Sequence, residues 1–571
     1  MTDFRIGYQP GRTVRNNVTS YLERHREDFP RRTALRWAPL GSAQGSGANG
    51  SAALSHEEIT FEGLVDRIHH FAGGLLELGI TKGDRVIIFL PMGVDMYTAM
   101  FAVQQIGAIA VFLDSWARSH HLGASAECVE PKAMISSKAA FDLVAQVPQF
   151  KKMPLRILWG SAAGFEHGFA DLLRSAPSSH IEAVESESSA LITFTTGSSG
   201  TPKGADRTHR FLSAQHQALN KVIPYTAEDR DLPAFPIFSL NNLAAGVTTV
   251  IPALNLAQPS ETDSATLVSQ ILSERITCAT LSPAMLVGVA KYCRETTTEL
   301  PGLRRVVTGG APISKDDVGH FVAVAPNVKL WILYGSTEVE PMAHIEGHAW
   351  LSEEPRISDP EILEEGVNVG EISEDLEYKF IRISKDPILL GPQGFGEWEV
   401  RTGEVGEFIV TGDHVCQNYF NNPDAFTKAK IRGPDGRVWH RTGDLAYLDA
   451  LKHLWLVGRI HNAIARGDSY VFPVRPEVLL KRMEFVQQAA FLGLPDPKLR
   501  QKTAVVIKAL PDTPAERIRA EIMRIFAKNN VPVDEIYTVE SIPMDPRHHS
   551  KVEYAVLTAN VLKGEGKRIS P

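Results

Sequence analysis

The chain reads as an α/β protein: a large N-terminal domain of parallel-rich sheets flanked by helices, then a small α+β domain at the C-terminal end. Three observations predict this. Its 571 residues exceed what one hydrophobic core serves, so two or more domains are expected. From Thr60 onward, helix-period segments alternate with short apolar runs, the β-α-β pattern that sets helices on the faces of parallel sheets. Beyond about Arg459 the composition changes to that of a compact unit of about a hundred residues.

The elements follow in order. Residues 14 to 26 predict a helix, and Ala34–Trp37 a short strand. Residues 41 to 55, GSAQGSGANGSAALS, are a surface loop rich in Gly, Ser and Ala. Thr60 is a candidate N-cap for a helix whose apolar positions Leu64, Ile68, Phe71, Leu75 and Leu76 recur at helical spacing. Gly79 ends it, and Arg85 to Leu90 is a buried strand. A second helix runs from Val94 to about Ile106, and Ala108 to Leu113 is the next strand. Further strands are expected at Gly246–Ile251, Ile276–Leu281, Leu303–Val307 and Val328–Leu333. Loops at the carboxyl ends of parallel strands are where ligands gather.

Bulk properties exclude several classes. With 43% apolar and 22% charged residues the chain is an ordinary globular protein. A net charge of −8 and a pI near 6.2 argue against nucleic acid as a partner. The four cysteines, at 128, 278, 293 and 416, are far apart and form no C-x-x-C pair. A disulfide framework or zinc site therefore lacks support, and a cytoplasmic protein is expected. The first residues, MTDFRIGYQPGRTVRNN, contain no apolar signal segment. Met96 to Leu113 is apolar but contains two glutamines and a glycine, so a buried helix and strand are expected there rather than a membrane span.

The chemical centre of the sequence is Leu191-Ile-Thr-Phe-Thr-Thr-Gly-Ser-Ser-Gly-Thr-Pro-Lys-Gly204. A buried strand, Leu191 to Phe194, runs into a loop of hydroxyls and glycines. Such a loop can turn its N–H groups on phosphate oxygens. Thr195, Thr196, Ser198, Ser199 and Thr201 add hydroxyl donors, and Lys203 adds a mobile positive charge. The order differs from that of a Walker A loop. Downstream, Tyr334-Gly-Ser-Thr-Glu338 follows a strand. It offers an aromatic face for a purine, a hydroxyl for phosphate, and a carboxylate for magnesium. Thr308-Gly-Gly-Ala-Pro312 allows close backbone approach to a flat base. Thr442-Gly-Asp444 supplies a carboxylate suited to vicinal ribose hydroxyls.

Together, in this order, these stretches resemble the signatures of the acyl-adenylate-forming superfamily: acyl-CoA synthetases, firefly luciferase and peptide-synthetase adenylation domains. The resemblance covers almost the whole chain. It implies an AMP-binding domain over residues 1–459, including a β-barrel-like part, and a mobile lid domain over 460–571. The implied cofactor-binding residues are Thr195, Thr196, Gly197, Ser198, Ser199, Gly200, Thr201, Lys203 and Gly204, with Gly309, Gly310, Ala311, Tyr334, Gly335 and Ser336, and with Asp444 and Arg459 on the ribose. Glu338 would hold Mg²⁺ and act with Thr337. Lys551, in Ile542-Pro-Met-Asp-Pro-Arg-His-His-Ser-Lys551, would be the catalytic lysine. Phe238, Ser239, Asn241 and Gly310 would line the acyl pocket.

Departures from the superfamily pattern bear on the second half-reaction. Ser239 stands where an aromatic or histidine is usual, His461 at the hinge, Ala465 where a lysine is frequent, and Ser550 before the lysine. The β-lactone synthetases of olefin biosynthesis share several of these features. They resemble this chain at Pro236 to Leu240, at Gly246 to Pro252 and at Arg547 to Lys551. The resemblance implies ATP- and Mg²⁺-dependent activation of a carboxylic acid, expected to be a fatty acid, with pyrophosphate release. Transfer of the acyl group to CoA is the leading expectation, closure of a 3-hydroxy acid to a β-lactone the second, and a separate acyl carrier protein a further acceptor. A nucleotide-binding protein without turnover is the alternative from another class. It is opposed by the joint presence of Thr196, Lys203, Glu338, Asp444 and Lys551.

Overall fold

A computed structural model describes residues 16–38, 56–113, 119–161, 163–196, 202–254, 263–353, 359–544 and 552–569. The chain divides into two compact units. The first comprises Met1–Leu351 with Gly412–Phe426, and the second Ser352–Thr411 with Thr427–Pro571. The boundary expected at 459/460 therefore falls inside the second unit, and a short segment near residue 420 returns to the first.

The first unit carries two sheets. In one, the strands Lys329–Ser336, Arg305–Gly309, Cys278–Leu281, Arg230–Pro233, Thr248–Val250 and Thr33–Trp37 lie side by side and parallel. Val339–Glu346 pairs antiparallel with Lys329–Ser336, and Glu57–Thr60 pairs antiparallel with Thr33–Trp37. The other sheet has eight strands. Its parallel part runs Ser189–Thr196, Ile109–Phe112, Arg85–Phe89, Ala133–Ser137, Leu155–Trp159 and His167–Gly168. Pro202–Thr208 and then Asn418–Tyr419 are added antiparallel on its other side.

The helix expected after Thr60 spans Phe61–Glu77, and the Thr60 side chain accepts from the Gly63 amide. Leu64, Ile68, Phe71 and Leu75 are buried beside Tyr97, Met100 and Val103 of the next helix. Leu76 instead is 43% exposed. It falls one step round the helix from Leu75, beyond the apolar stripe. The second helix is Val94–Gln105, with Gly107 at φ +72 closing it. The first helix starts at Ser20 rather than Val14, and residues 14 and 15 lie outside the described residues. Among the described residues, no helix is long and apolar enough to cross a membrane.

In the second unit, Glu377–Ile381, Gly406–Thr411, Val438–Leu448, His453–Arg459 and Val367–Ile372 form an antiparallel array. A further sheet contains Ser469–Val471, Ile464–Arg466, Val486–Asp496, Arg500–Ala509, Glu535–Thr538 and Lys567–Ile569. Its helices Val474–Lys481 and Ala515–Lys528 bury Leu479, Leu480, Ile522 and Phe526 against Phe491 and Val505.

Candidate active site

The phosphate stretch is a β-hairpin. Ser189–Thr196 pairs antiparallel with Pro202–Thr208, and Thr196 stands opposite Pro202. The sequence reading ended the strand at Phe194 and did not foresee that the chain returns as a strand. Pro202 opens that return strand, where its missing N–H falls at the strand's first position. Gly197, Ser198, Ser199, Gly200 and Thr201 lie outside the described residues, and Thr195 and Thr196 are placed by their backbone. Gly204, paired with Phe194, packs tightly: a Cβ there would lie 3.0 Å from Ile192. Lys203 Nζ lies 5.8 Å from the ring centre of Tyr419.

Tyr334-Gly-Ser-Thr-Glu338 is also part of a hairpin. The strand continues through Tyr334, Gly335 and Ser336, and Ser336 pairs with Val339. Thr337 and Glu338 are thus the two residues of the turn, which carries both at the tip. Gly335 packs closely: a Cβ would meet Glu340 Cγ and the Val339 carbonyl at 3.1 Å, so a side chain there would press on the returning strand. Next to this hairpin, a Cβ on Gly309 would lie 2.5 Å from the Leu333 carbonyl, so no side chain fits there. Gly310 follows at φ +78, with Ala311 after it.

The two hairpins are linked by the returning segment 412–426. Its strand Asn418–Tyr419 pairs with Pro202–Thr208, Tyr419 opposite Ala205. Tyr419, 2% exposed, donates its hydroxyl to Glu338 Oε1 at 2.7 Å. Burial and the adjacent carboxylate hold the phenol proton well above its ordinary range, so the tyrosine remains the donor. The Cys416 amide donates to the Glu338 carbonyl at 2.8 Å. Sequence reading missed Tyr419. Its only signal was an aromatic in a short polar segment, 81 residues from its partner.

The donor set around Glu338 suits magnesium. Among the described residues, no group of three or more His, Cys, Asp or Glu side chains could hold a metal alone. A hard cation that completes its shell with phosphate oxygens and water needs only one or two carboxylates. Glu338, oriented by Tyr419, fits that role.

The pocket residues divide. Phe238, Ser239 and Asn241 lie on the helix Pro236–Ala245, which the sequence reading had not assigned. Pro236 at its first position and Gly246 at φ +73 after its end delimit it. Asn241 lines a small, mainly apolar cavity of about 50 Å³ with Met100, Phe101, Leu219 and Leu240. There its Oδ1 accepts from His216 Nδ1 at 2.8 Å. Burial pushes the His216 imidazole down to about 4, so it is neutral. Phe238 packs instead with Leu219, Val247 and Leu333. Ser239 is fully buried beside the Tyr97 hydroxyl, and among the described residues neither completes a well-formed hydrogen bond. Gly310 does not line the cavity.

In the second unit, Thr442-Gly-Asp444 lies within the strand Val438–Leu448. Asp444 stands opposite Arg459 in the ladder, and Arg459 Nη1 donates to Asp444 Oδ1 at 2.9 Å. The Thr442 hydroxyl donates to the Phe408 carbonyl and accepts from the Asp444 amide, fixing the bend at Gly443. Behind it the buried Arg441 donates from Nε and Nη2 to Glu407. The two expected ribose residues are thus neighbours that bind each other. Lys551, with Arg547 and Ser550, lies outside the described residues.

The chain is 29% identical over 560 residues to an olefin β-lactone synthetase of Stenotrophomonas maltophilia, covering 94% of this chain and 96% of that protein. It is 24% identical over 492 residues to the long-chain-fatty-acid–CoA ligase FadD13 of Mycobacterium tuberculosis, covering 86% and 90%. Its fold matches Bacillus subtilis O-succinylbenzoate coenzyme A synthetase, solved in complex with ATP and magnesium ion, with a TM-score of 0.74 at 19% identity. That match covers 94% of this chain and 98% of the other. Residues 22–420 match the AMP-binding enzyme family, and the chain belongs to that family.

Proposed function

We propose that this enzyme uses ATP and Mg²⁺ to convert a carboxylic acid of the fatty-acid class into an acyl-adenylate. The observation that carries this reading is the pair of hairpins tied together at Tyr419, one leading to the phosphate loop and one presenting Thr337 and Glu338. The substrate carboxylate attacks the α-phosphorus of ATP, and pyrophosphate leaves. Both reactants are anions, so the lysine charge of Lys203 and the loop's N–H and hydroxyl donors serve to reduce their repulsion. Magnesium, when bound, neutralises phosphate charge and orients the oxygens. Thr337 donates to phosphate, Tyr334 takes the adenine face, and Asp444 takes the ribose hydroxyls, with Arg459 holding it. Lys551 is assigned by its place in the tail motif. The stretch 460–571, which carries its own sheet and buried core, is the unit we assign as the lid.

For the fate of the adenylate, the near full-length likeness to β-lactone synthetase favours attack by the substrate's own β-hydroxyl on the acyl carbon, expelling AMP. The second reading is transfer to CoA, supported by the likeness to an acyl-CoA ligase. Exchange of labelled pyrophosphate into ATP, measured with a panel of acids, tests adenylation. A 3-hydroxy fatty acid with ATP and no CoA then tests the fate. Steady AMP release with a product lighter by one water supports the lactone, whereas turnover only after CoA is added refutes it.

A further inference from the structure

The turn that presents Thr337 and Glu338 is gripped from outside along its backbone. The Thr337 carbonyl accepts from Arg207 Nη2 at 2.8 Å. The Glu338 carbonyl accepts from the Cys416 amide at 2.8 Å. The Glu340 carbonyl accepts from Gln215 Nε2 at 3.3 Å, and the Pro341 carbonyl pairs with His414 Nε2 at 3.0 Å. Arg207 is the one permanent cation among these four partners. It lies on the strand Pro202–Thr208, which leads out of the phosphate loop.

Burying a guanidinium is costly unless its charge and donors are met. Arg207 is 7% exposed. Its guanidinium stands 5.7 Å from the Phe211 ring, and the carboxylates of Glu338 and Glu340 lie close enough to act on its charge. Among the described residues its Nε has no hydrogen-bond partner. A buried arginine with one donor unmet is poorly explained by packing alone, since an apolar residue would fill the space at less cost.

We infer that Arg207 is a positioning residue for adenylation: it sets the spacing between the phosphate-loop hairpin and the Thr337–Glu338 turn. Resting on the adenylation reading, the proposal adds a residue outside every motif of the site. Arg207 touches the carbonyl of the turn and acts through it. Tyr419 reaches the same turn from the neighbouring strand, on the Glu338 side chain. The two strands thus grip one turn at its backbone and at its carboxylate.

The test uses the full chain with Arg207→Met and Arg207→Lys. In Arg207→Met, the kcat of acid-dependent pyrophosphate exchange is expected to fall on the order of tenfold, as for loss of a buried charged hydrogen bond. The Mg²⁺ concentration for half-maximal rate should rise, with a smaller change in the KM for ATP. Hydrogen exchange followed by mass spectrometry should show faster exchange across 334–343, with 85–112 and 486–509 unchanged. Arg207→Lys should regain part of both. Wild-type kcat and Mg²⁺ response in Arg207→Met would overturn the proposal, as would accelerated exchange throughout the chain. If Arg207→Met does not fold, Arg207→Lys decides: it keeps the charge but not the planar fork. Wild-type kinetics and local exchange in that variant refute the role, and a local loss supports it. Should the wild-type chain show no acid-dependent exchange, the adenylation reading fails, while protection of 334–343 still decides whether Arg207 holds the turn.

Discussion

Glu407→Gln is expected to destabilise the second unit severely, because it removes one partner of a buried ion pair directly behind the Thr442–Asp444 motif. The Arg441 and Glu407 side chains are 6% and 1% exposed. Arg441 donates from Nε to both Glu407 oxygens at 3.1 and 3.0 Å and from Nη2 to Oε2 at 2.7 Å. Its remaining donors reach the Ser384 and Asp386 carbonyls. Gln keeps the shape and one acceptor but leaves the guanidinium charge uncompensated. Breaking one side of a buried pair costs about 3–5 kcal/mol. In a unit of roughly two hundred residues that lowers its Tm by roughly 10 °C. Calorimetry with hydrogen exchange assigns the loss to the second unit, since a chain of two units need not unfold in one step. The double variant Glu407→Gln/Arg441→Met removes the stranded charge, and its loss should be smaller than the sum of the two single losses. A drop of under about 2 °C for Glu407→Gln, or strictly additive losses, would refute the reasoning.

Glu338→Ala and Lys203→Ala should each lower acid-dependent exchange about a hundredfold or more; full activity in both would show that the phosphate and magnesium assignments are wrong. Asp444→Asn should raise the KM for ATP more than it lowers kcat, and should narrow the preference for ATP over 2′-deoxy-ATP; an unchanged preference removes the ribose assignment. Glu477 is half-buried, accepting from the Tyr554 hydroxyl at 2.5 Å and the Phe491 amide at 3.0 Å, and desolvation of its carboxyl pushes it up to about 7. Its folded pKa exceeds the unfolded one, so the native state binds the extra proton, and this contribution to stability is lost as pH rises toward 7. The Tm of wild type minus that of Glu477→Gln should therefore be larger at pH 5 than at pH 8, and an equal difference at both contradicts the shift.

The sequence by itself determined what depends on neighbours in the chain. The spacing of Leu64, Ile68, Phe71 and Leu75 sets a helix face, and Thr60 and Gly107 mark helix ends through their own backbone preferences. The hydroxyl-glycine run, Tyr334 to Glu338 and Thr442 to Asp444 carry their chemistry in consecutive residues, so the family was legible in them. Only the tertiary structure decided the contacts that make these motifs a mechanism. That Thr337 and Glu338 form a two-residue turn depends on the pairing of Ser336 with Val339. That Glu338 is held by Tyr419, and the Thr337 carbonyl by Arg207, depends on contacts across 81 and 130 residues. Leu76 completes the apolar spacing yet stays exposed, since the packed neighbour rather than the pattern sets the stripe's edge. Local patterns fix local conformation, but strands far apart in sequence meet only when the sheets assemble. There the cost of burying Arg207 and Glu407 decides which partners they must find.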